Sequence, residues 1–242
     1  MSRRAVLAQA RSETTLGLRR GESLVVTIGI PVGVLLFFGK VSQPTVAGDP
    51  LNFLVPGVLA LAVMSSAMVS LGIGTGFDRR FGVLKRLGST PLGRPGLLAA
   101  KTIYVLIIEV IQIAVLIAVS VAIGWKPSGG LPLAIAFLAL GTIAFAGLGM
   151  LMAGTLRAEA NLALANGLYL VLLFLGGMAY PLTKLPDGVR TFAELLPAAA
   201  LAECVRGALA APVHVPLHAV IVLVVWAIVL PVLAARLFRW EE

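Results

Sequence analysis

The sequence is poor in the residues that build catalytic and metal sites. Its 242 residues include one cysteine, Cys204, and two histidines, His214 and His218. A single cysteine cannot form an internal disulfide, so Cys204 is expected to be a small packing residue. The two histidines are four residues apart with Pro216 between them, and no glutamate accompanies them in that motif. We therefore expect no metal site.

Nucleotide-binding and protease motifs are also missing. Residues 33–40 resemble a phosphate loop, but the spacing to the Gly-Lys pair is one residue too long and Val41 replaces the required Ser or Thr. Gly72, Gly74 and Gly76 follow no strand, and the spacing of Gly72 and Gly76 instead favours close packing of membrane helices. The chain is therefore expected to bind no cofactor and to be no enzyme by itself.

Long apolar runs dominate what is present. Hydrophobic residues make up 59% of the chain, charged residues only 12%, and the mean hydropathy is +1.01. A membrane-spanning helix needs roughly 20 mostly apolar residues. The pattern predicts an all-α, single transmembrane domain with six spans and no cleavable signal peptide. The spans are expected at 21–39, 51–76, 101–124, 131–154, 161–180 and 213–238.

Positive charge is distributed unevenly between the two sides of this arrangement. If the N-terminus is cytoplasmic, 14 of the 19 lysines and arginines lie on the inner side. The positive-inside rule then places both termini in the cytoplasm, and we expect a multi-pass protein of the plasma (inner) membrane. The net charge of +8 reflects this topology and does not indicate nucleic-acid binding.

Two segments outside the spans carry helical patterns. In residues 1–20, Val6, Leu7, Ala10, Thr14 and Leu18 recur at helical spacing, which predicts an amphipathic helix at the membrane surface; a solvated arm is the alternative. Residues 181–212 hold apolar runs too short to cross a bilayer, which predicts two short outer re-entrant helices between spans five and six. Asn161 is interpreted as the cap of the fifth span.

The segment 77–100 is the most informative, because it is basic, rich in turns and lies between two spans. Lipid does not tolerate unpaired cations such as Arg79, Arg80, Lys85 and Arg86, so the segment must be in water or against a partner. It is too small to have a core of its own. This composition predicts a docking surface in the cytoplasm.

Glu109 is the acidic residue inside an apolar span. Such groups usually face the bundle interior or a water-filled cavity, and Gln112 lies on the same face. One interpretation is a polar patch on a substrate path or a subunit seam. The other is a hydrogen bond to a neighbouring helix, with Ser65, Ser66 and Ser70 of span two as candidate partners.

An ordered series of short motifs runs through the chain. Phe53-Leu54-Val55-Pro56-Gly57 opens span two, and the run from Phe77 to Leu87 closes it. Leu175-Gly176-Gly177, Tyr180-Pro181, Leu195-Leu196-Pro197 and Glu203-Cys204-Val205-Arg206-Gly207 follow. In this order the chain resembles the type-2 permeases of ABC transporters, the membrane subunits of drug, polysaccharide and daunorubicin-type exporters.

This resemblance implies partners and a mechanism. Such permeases pair with a second copy, as a homodimer, or with a related permease, and with ATP-binding cassette ATPase subunits that bind ATP and Mg. Residues 83–89 are similar to the family's cytoplasmic coupling helix, and the N-terminal helix is similar to its connecting helix. The contact with the ATPase is then expected on this segment: Phe81, Val83, Leu84, Lys85, Arg86 and Leu87.

The function implied is ATP-driven export of a lipophilic or amphipathic small molecule, such as a drug or antibiotic, giving efflux and antibiotic resistance. Two alternatives stay open. One is a lipid-linked glycan exporter of the same family, and the other is a stand-alone secondary transporter that uses Glu109 as a proton site.

Overall fold

The computed structural model describes residues 3–19, 21–40, 50–88, 90, 92–127, 129–178 and 180–240, and these are helices joined by short turns. Five stretches are long and apolar enough to cross a membrane: Pro50–Arg80, Gly93–Ala122, Leu131–Thr155, Ala158–Leu175 and Leu217–Leu237. Helix is the expected outcome, because lipid offers no partner for a backbone amide. The chain is therefore an all-α, multi-pass membrane protein, as the sequence predicts.

The helices follow one another with few gaps. In chain order they are α1 (Arg3–Arg19), α2 (Gly21–Lys40), α3 (Pro50–Met64), α4 (Leu71–Arg80), α5 (Val83–Gly88), α6 (Gly93–Ala122), α7 (Leu131–Thr155), α8 (Ala158–Leu175), α9 (Asp187–Glu194), α10 (Pro197–Leu209) and α11 (Leu217–Leu237). A π-helical stretch, Ser65–Ser70, joins α3 and α4 into one continuous span.

The first predicted span corresponds to α2, but its apolar stretch among the described side chains is short. Thr27–Gly39 has fewer than 18 residues, so it does not reach the length of the other five spans. The helix of the third span is longer than predicted. Its helix begins at Gly93, eight residues before the predicted boundary, because the apolar run continues as helix into the basic segment.

Helix α7 lies at the centre of the bundle, with α3, α4, α10 and α11 packed on it. Small residues on its surface allow this close packing. A Cβ atom on Gly149 would lie 2.7 Å from the carbonyl oxygen of Met68, and one on Gly72 would lie 3.1 Å from the backbone of Gly149. The prediction that Gly72 serves close helix packing is thus confirmed.

Two short helices, α9 and α10, occupy the segment where the sequence predicts them. Most residues of α10 are buried, which explains its high content of alanine. The Trp226 indole nitrogen of α11 donates a hydrogen bond to the Leu195 carbonyl at 2.9 Å. Helix α10 is therefore a packed part of the bundle, whereas α9 is exposed along most of its length and is buried at Ala193.

Asn161 corrects one expectation. Helix α8 begins at Ala158, so Asn161 lies inside the helix and does not cap it. Its side-chain nitrogen instead donates a hydrogen bond of 2.8 Å to the Gly72 carbonyl of α4. A buried amide needs such a partner, and Gly76 leaves room for it, because a Cβ there would lie 2.6 Å from that nitrogen.

Candidate functional site

The predicted docking segment forms a helical elbow between two spans. Helix α4 ends at Arg80, Phe81 and Gly82 form the turn, and α5 follows as Val83–Gly88. Gly82 has a φ of 72°, a left-handed conformation that favours glycine. The last residue of the predicted coupling helix, Ser89, lies outside the described residues.

The residues expected to dock divide into an exposed set and a buried one. Phe81 is 73% exposed and Val83 is 44% exposed, and Lys85 and Arg86 are exposed beside them. Leu87 is half-buried, whereas Leu84 is fully buried. Leu84 therefore anchors α5 to its own chain, and the outward surface of the elbow consists of Phe81, Val83, Lys85 and Arg86.

The residues that follow the last span pack against α5. The Trp240 ring packs over Gly88, where a Cβ atom would lie 3.2 Å from the indole. Phe238 contacts Trp240 edge to face, with ring centroids 5.7 Å apart. The Arg239 amide donates a hydrogen bond of 3.0 Å to the Gly154 carbonyl at the end of α7. The last span and α7 are thus connected to the elbow.

The polar residues at the end of α4 bind three neighbours. The Lys101 ammonium of α6 lies 3.0 Å from Asp78 Oδ2. The buried Arg79 guanidinium donates a hydrogen bond to the Leu156 carbonyl, and Arg80 forms an ion pair with Glu159 at the start of α8. The charge of this segment therefore holds helix ends together, in addition to any role in orientation.

Lys101 forms a second ion pair with the N-terminal helix. Its ammonium lies 2.9 Å from Glu13 Oε1, and only 3% of the lysine side chain is exposed. Gln9 donates a hydrogen bond of 3.0 Å to the same carboxylate oxygen. A buried charge requires compensation of this kind. Glu13 of α1, Asp78 of α4 and Lys101 of α6 thus form an ion triad that we name the inner triad.

A cavity of about 580 Å³ adjoins the inner triad. Residues of α1, α4, α5 and α6 line it, together with Thr27 of α2 and the π-helical stretch. Ser66 and Ser70, two of the predicted path residues, are on its wall, whereas Glu109 and Gln112 are not part of its lining.

The structure separates the predicted polar patch into two groups. Ser66 Oγ donates a hydrogen bond of 2.8 Å to Gln112 Oε1, and Gln112 Nε2 donates one of 2.8 Å to the Thr27 carbonyl. Glu109 instead accepts a hydrogen bond from the Thr142 hydroxyl of α7. Glu109 therefore does bond to a neighbouring helix, as one interpretation expects, but its partner belongs to α7 and is not a serine of span two. Glu109 faces α7, while Gln112 faces α2 and the π-helical stretch. Ser65 is half-buried and Ser70 is exposed.

The other end of the bundle carries a second set of polar contacts. The Arg206 guanidinium of α10 lies 4.1 Å from the Phe53 ring centroid and donates a hydrogen bond of 2.8 Å to the Gly177 carbonyl. Burial lowers the pKa of Arg206 to about 10.

His218 Nε2 lies 3.2 Å from Glu203, so a glutamate does accompany this histidine in space. Among the described residues, no group of three or more histidines, cysteines and acids could hold a metal ion.

Several of these residues were not identified from the sequence. The sequence alone does not connect Glu13 with Lys101 and does not indicate roles for Thr142 and Trp240. Lys101 stands at the boundary of the predicted span 101–124, and only the observed start of α6 at Gly93 puts it eight residues inside a helix, where it needs an acidic partner. Nothing in the spacing indicates Thr142 or Trp240, because their partners are far away in the sequence.

One known family model matches most of the chain. The family model described as ABC-2 type transporter matches residues 5–210. The matched region extends from α1 to the end of α10 and includes the elbow, the inner triad and the cavity. A comparison with curated proteins finds no match to this chain.

Proposed function

The chain belongs to the ABC-2 type transporter family, and we propose that it exports a lipophilic or amphipathic small molecule with ATP that a separate subunit hydrolyses. The observation that carries this proposal is the family match over residues 5–210 on a bundle with five apolar spans. A permease of this kind provides the path through the membrane. Energy then has to enter from a partner, and ATP and Mg would be bound by that partner.

The elbow is the surface that suits such a partner. The exposed Phe81 and Arg86 are of residue types that are enriched at protein interfaces, and they lie beside the exposed Val83 and Lys85. The contacts of the elbow with other helices would transmit a movement of this surface. Movement of α5 would reach α8 through Arg80 and Glu159, and the last span through Gly88 and Trp240.

Contacts between loops support six spans with both termini in the cytoplasm. Helix α1 contacts α6 at Lys101, and Trp240 contacts α5, so both ends of the chain lie on the side of the elbow. The span Pro50–Arg80 begins on the opposite side. The chain between α1 and α3 must therefore cross once, and α2 is the segment that would do so. In this topology α1 lies along the inner surface and α9 and α10 enter from the outer surface of the plasma membrane.

A second copy or a related permease would complete the transporter. Helix α8 has several large apolar side chains that this chain leaves exposed: Leu162, Leu164, Leu170, Val171 and Phe174. Lipid would cover part of such a surface and a partner permease the rest.

A proton-coupled carrier is the second candidate, and Glu109 is the residue that favours it. Its second oxygen, Oε1, is buried without a hydrogen-bond partner among the described residues. Intramembrane carboxyl groups of this kind occur in proton relays. A glycan exporter of the same family differs only in its cargo, and no contact in this chain favours it.

Substitution of the exposed elbow residue tests the proposal directly. We expect Phe81→Asp to abolish co-purification of an ATPase subunit with the tagged chain from its native membranes, because a charge replaces the apolar anchor. Phe192→Asp is the matched control, since Phe192 is 57% exposed on α9 and three spans away. It should leave the ATPase bound.

Transport by the same variants distinguishes the two candidates. The proposal expects export that requires ATP and is lost in Phe81→Asp, and that survives in Glu109→Gln. Export that continues without any ATPase and is lost in Glu109→Gln would refute it and identify the proton-coupled carrier.

A further inference from the structure

The cavity beside the inner triad has one charged end and a deeper, mixed part. Asp78, Glu13 and Lys101 form the charged end, where α4 and α6 reach the elbow. Val105 and Ile108 line the deeper part along α6, where Thr27 and Ser66 add uncharged polar groups. Seven residues separate Lys101 and Ile108, or about 10 Å along the helix. The cavity therefore has the polarity of an amphipathic molecule, with the head near the cytoplasmic surface and the tail deeper in the membrane.

The charged end contains more negative than positive charge. Two carboxylates, Glu13 and Asp78, face one ammonium, Lys101. Each carboxylate has two acceptor oxygens with room for about four hydrogen bonds, whereas an ammonium has three donors. Even with the additional donor from Gln9, acceptors remain in excess. A ligand that brings donors and a positive charge would complement this end.

Thr75 provides an independent sign of a binding site. Its side chain is fully buried and lines the cavity, and its Oγ1 has no hydrogen-bond partner among the described residues. A buried hydroxyl without a partner destabilises the fold, so such groups normally have a partner. A polar atom of a ligand in the cavity would satisfy it.

Gly74 shows that the wall is open next to this hydroxyl. It lies on the cavity wall, and a Cβ atom there would meet no other atom within 4 Å. By contrast, the neighbouring Gly72 and Gly76 would bring a Cβ into close contact with α7 or α8. The space beside Gly74 is thus available to a ligand and is not used for helix packing.

We propose that this cavity binds an amphipathic organic cation of drug size from the cytoplasmic side, as the first binding site for the exported molecule. The inference rests on the proposed function and narrows its cargo to molecules with one positive charge. Asp78 and Glu13 hold the cationic head, Thr75 accepts or donates one hydrogen bond, and Val69, Ile73 and Ile108 contact the apolar part.

The geometry favours a small cation over a phospholipid. A volume of about 580 Å³ is within the range of pockets for drug-sized ligands, roughly 300–1,000 Å³. A phospholipid with an ammonium head would also bring its phosphate toward the two carboxylates. The negative charges of the phosphate and the carboxylates would repel each other, which disfavours binding of that phospholipid.

Binding of a fluorescent probe tests the assignment. The full chain is placed in nanodiscs of phosphatidylcholine and titrated with rhodamine 6G, a lipophilic monocation, and separately with fluorescein ethyl ester, a related dye without the positive charge. Fluorescence anisotropy is measured against empty nanodiscs. We expect saturable binding of rhodamine 6G alone, weakened about tenfold or more in Asp78→Asn because one of the two carboxylates becomes neutral.

Two further variants separate cavity binding from a change in fold. Gly74→Leu should remove binding by filling the cavity, while Gly167→Leu, at another glycine with open space, should bind normally. Glu194→Gln, which neutralises a carboxylate on α9, should also bind normally. Equal binding of both dyes, or normal binding by Asp78→Asn and Gly74→Leu, would overturn the assignment. Displacement of the dye by phosphatidylethanolamine in the nanodisc would overturn it in favour of a lipid.

The outcome of the dye-binding experiment does not depend on the outcome of the test for the proposed function. Cation binding is measured without an ATPase, whereas the proposed function fails if no ATPase associates with the elbow. ATP-driven export of an uncharged molecule, together with no binding of rhodamine 6G, would refute the cation site and leave the exporter intact.

Discussion

Lys101 and Glu109, two ionisable side chains of α6, differ in the polar partners that surround them. Lys101 contacts two carboxylates from α1 and α4, so it joins three helices at the end of the bundle that carries the elbow. Glu109 lies two turns further along, and its Oε2 accepts a hydrogen bond from the Thr142 hydroxyl. The first arrangement connects three helices beside a cavity. The second leaves the other carboxyl oxygen, Oε1, buried without a hydrogen-bond partner among the described residues.

The dependence of Glu109 on Thr142 gives a prediction at the residue scale. We expect Thr142→Val to lower the free energy of unfolding by about 1–3 kcal/mol, because a buried carboxyl group loses its hydrogen bond. Chemical unfolding in bicelles measures this value. Thr102→Val is the matched control, since Thr102 donates only to the Leu98 carbonyl of its own helix.

A double-mutant cycle isolates the pair. In a Glu109→Leu background, where no carboxyl remains, Thr142→Val should cost much less than in the native chain. An equal cost in both backgrounds would show that the Thr142 hydroxyl acts independently of Glu109, through its 2.9 Å hydrogen bond to the Leu138 carbonyl.

At the scale of elements, contact between helices depends on glycines of α4 and α7. The spacing of Gly72 and Gly76 predicts close packing from the sequence, and the structure confirms it. The partners were not predictable, because Gly149 and Asn161 lie in other spans and no local pattern links them to α4. The π-helical stretch was not predicted either, since its backbone hydrogen bonds are set by the helices packed on it.

The close approach of α7 to the π-helical stretch gives a prediction for this scale. Gly149→Ala should destabilise the chain by about 1–3 kcal/mol, because its Cβ would lie 2.7 Å from the Met68 carbonyl oxygen, which is backbone and cannot rotate away. Gly74→Ala is the control, since its Cβ meets no atom within 4 Å and alanine favours helix. Thermal unfolding in detergent measures both variants. A smaller loss for Gly149→Ala than for Gly74→Ala would contradict this packing.

For the whole molecule, the contacts group the connections at the two ends of the bundle. The elbow, the α7–α8 turn, α1 and the C-terminal end contact one another at one end, while α9 and α10 lie at the other end. The charges predict that the first of these ends is cytoplasmic, and the contacts bring the predicted inner segments together there. They also show that the basic segment is held between helix ends, which charge counting alone does not reveal.

Accessibility to a membrane-impermeant maleimide tests this arrangement in intact cells. Val189→Cys on α9 should react from outside, whereas Lys85→Cys on α5 should react only after the membrane is opened. The native thiol provides a silent background, because Cys204 is fully buried and burial raises its pKa to about 12. The native chain should therefore remain unlabelled. Labelling of Lys85→Cys from outside would reverse the orientation.

The sequence by itself determined the class, the approximate spans, the expected sidedness and the family, because these depend on composition, charge and the order of local motifs. The short helices within 187–209 also followed from local apolar runs between prolines, whereas the helix at 83–88 was implied by the family resemblance. The packing role of the Gly72–Gly76 pair was recognisable because its spacing is local, and docking at Phe81 and Val83 stays a prediction.

Only the tertiary structure decided which side chains meet. It buried Leu84, joined Glu13, Asp78 and Lys101, turned Glu109 toward Thr142 and placed Trp240 under α5. These contacts connect residues that are up to 152 positions apart, from Gly88 to Trp240. They depend on how rigid helices rotate and pack against one another, and no periodicity within a single helix contains that information.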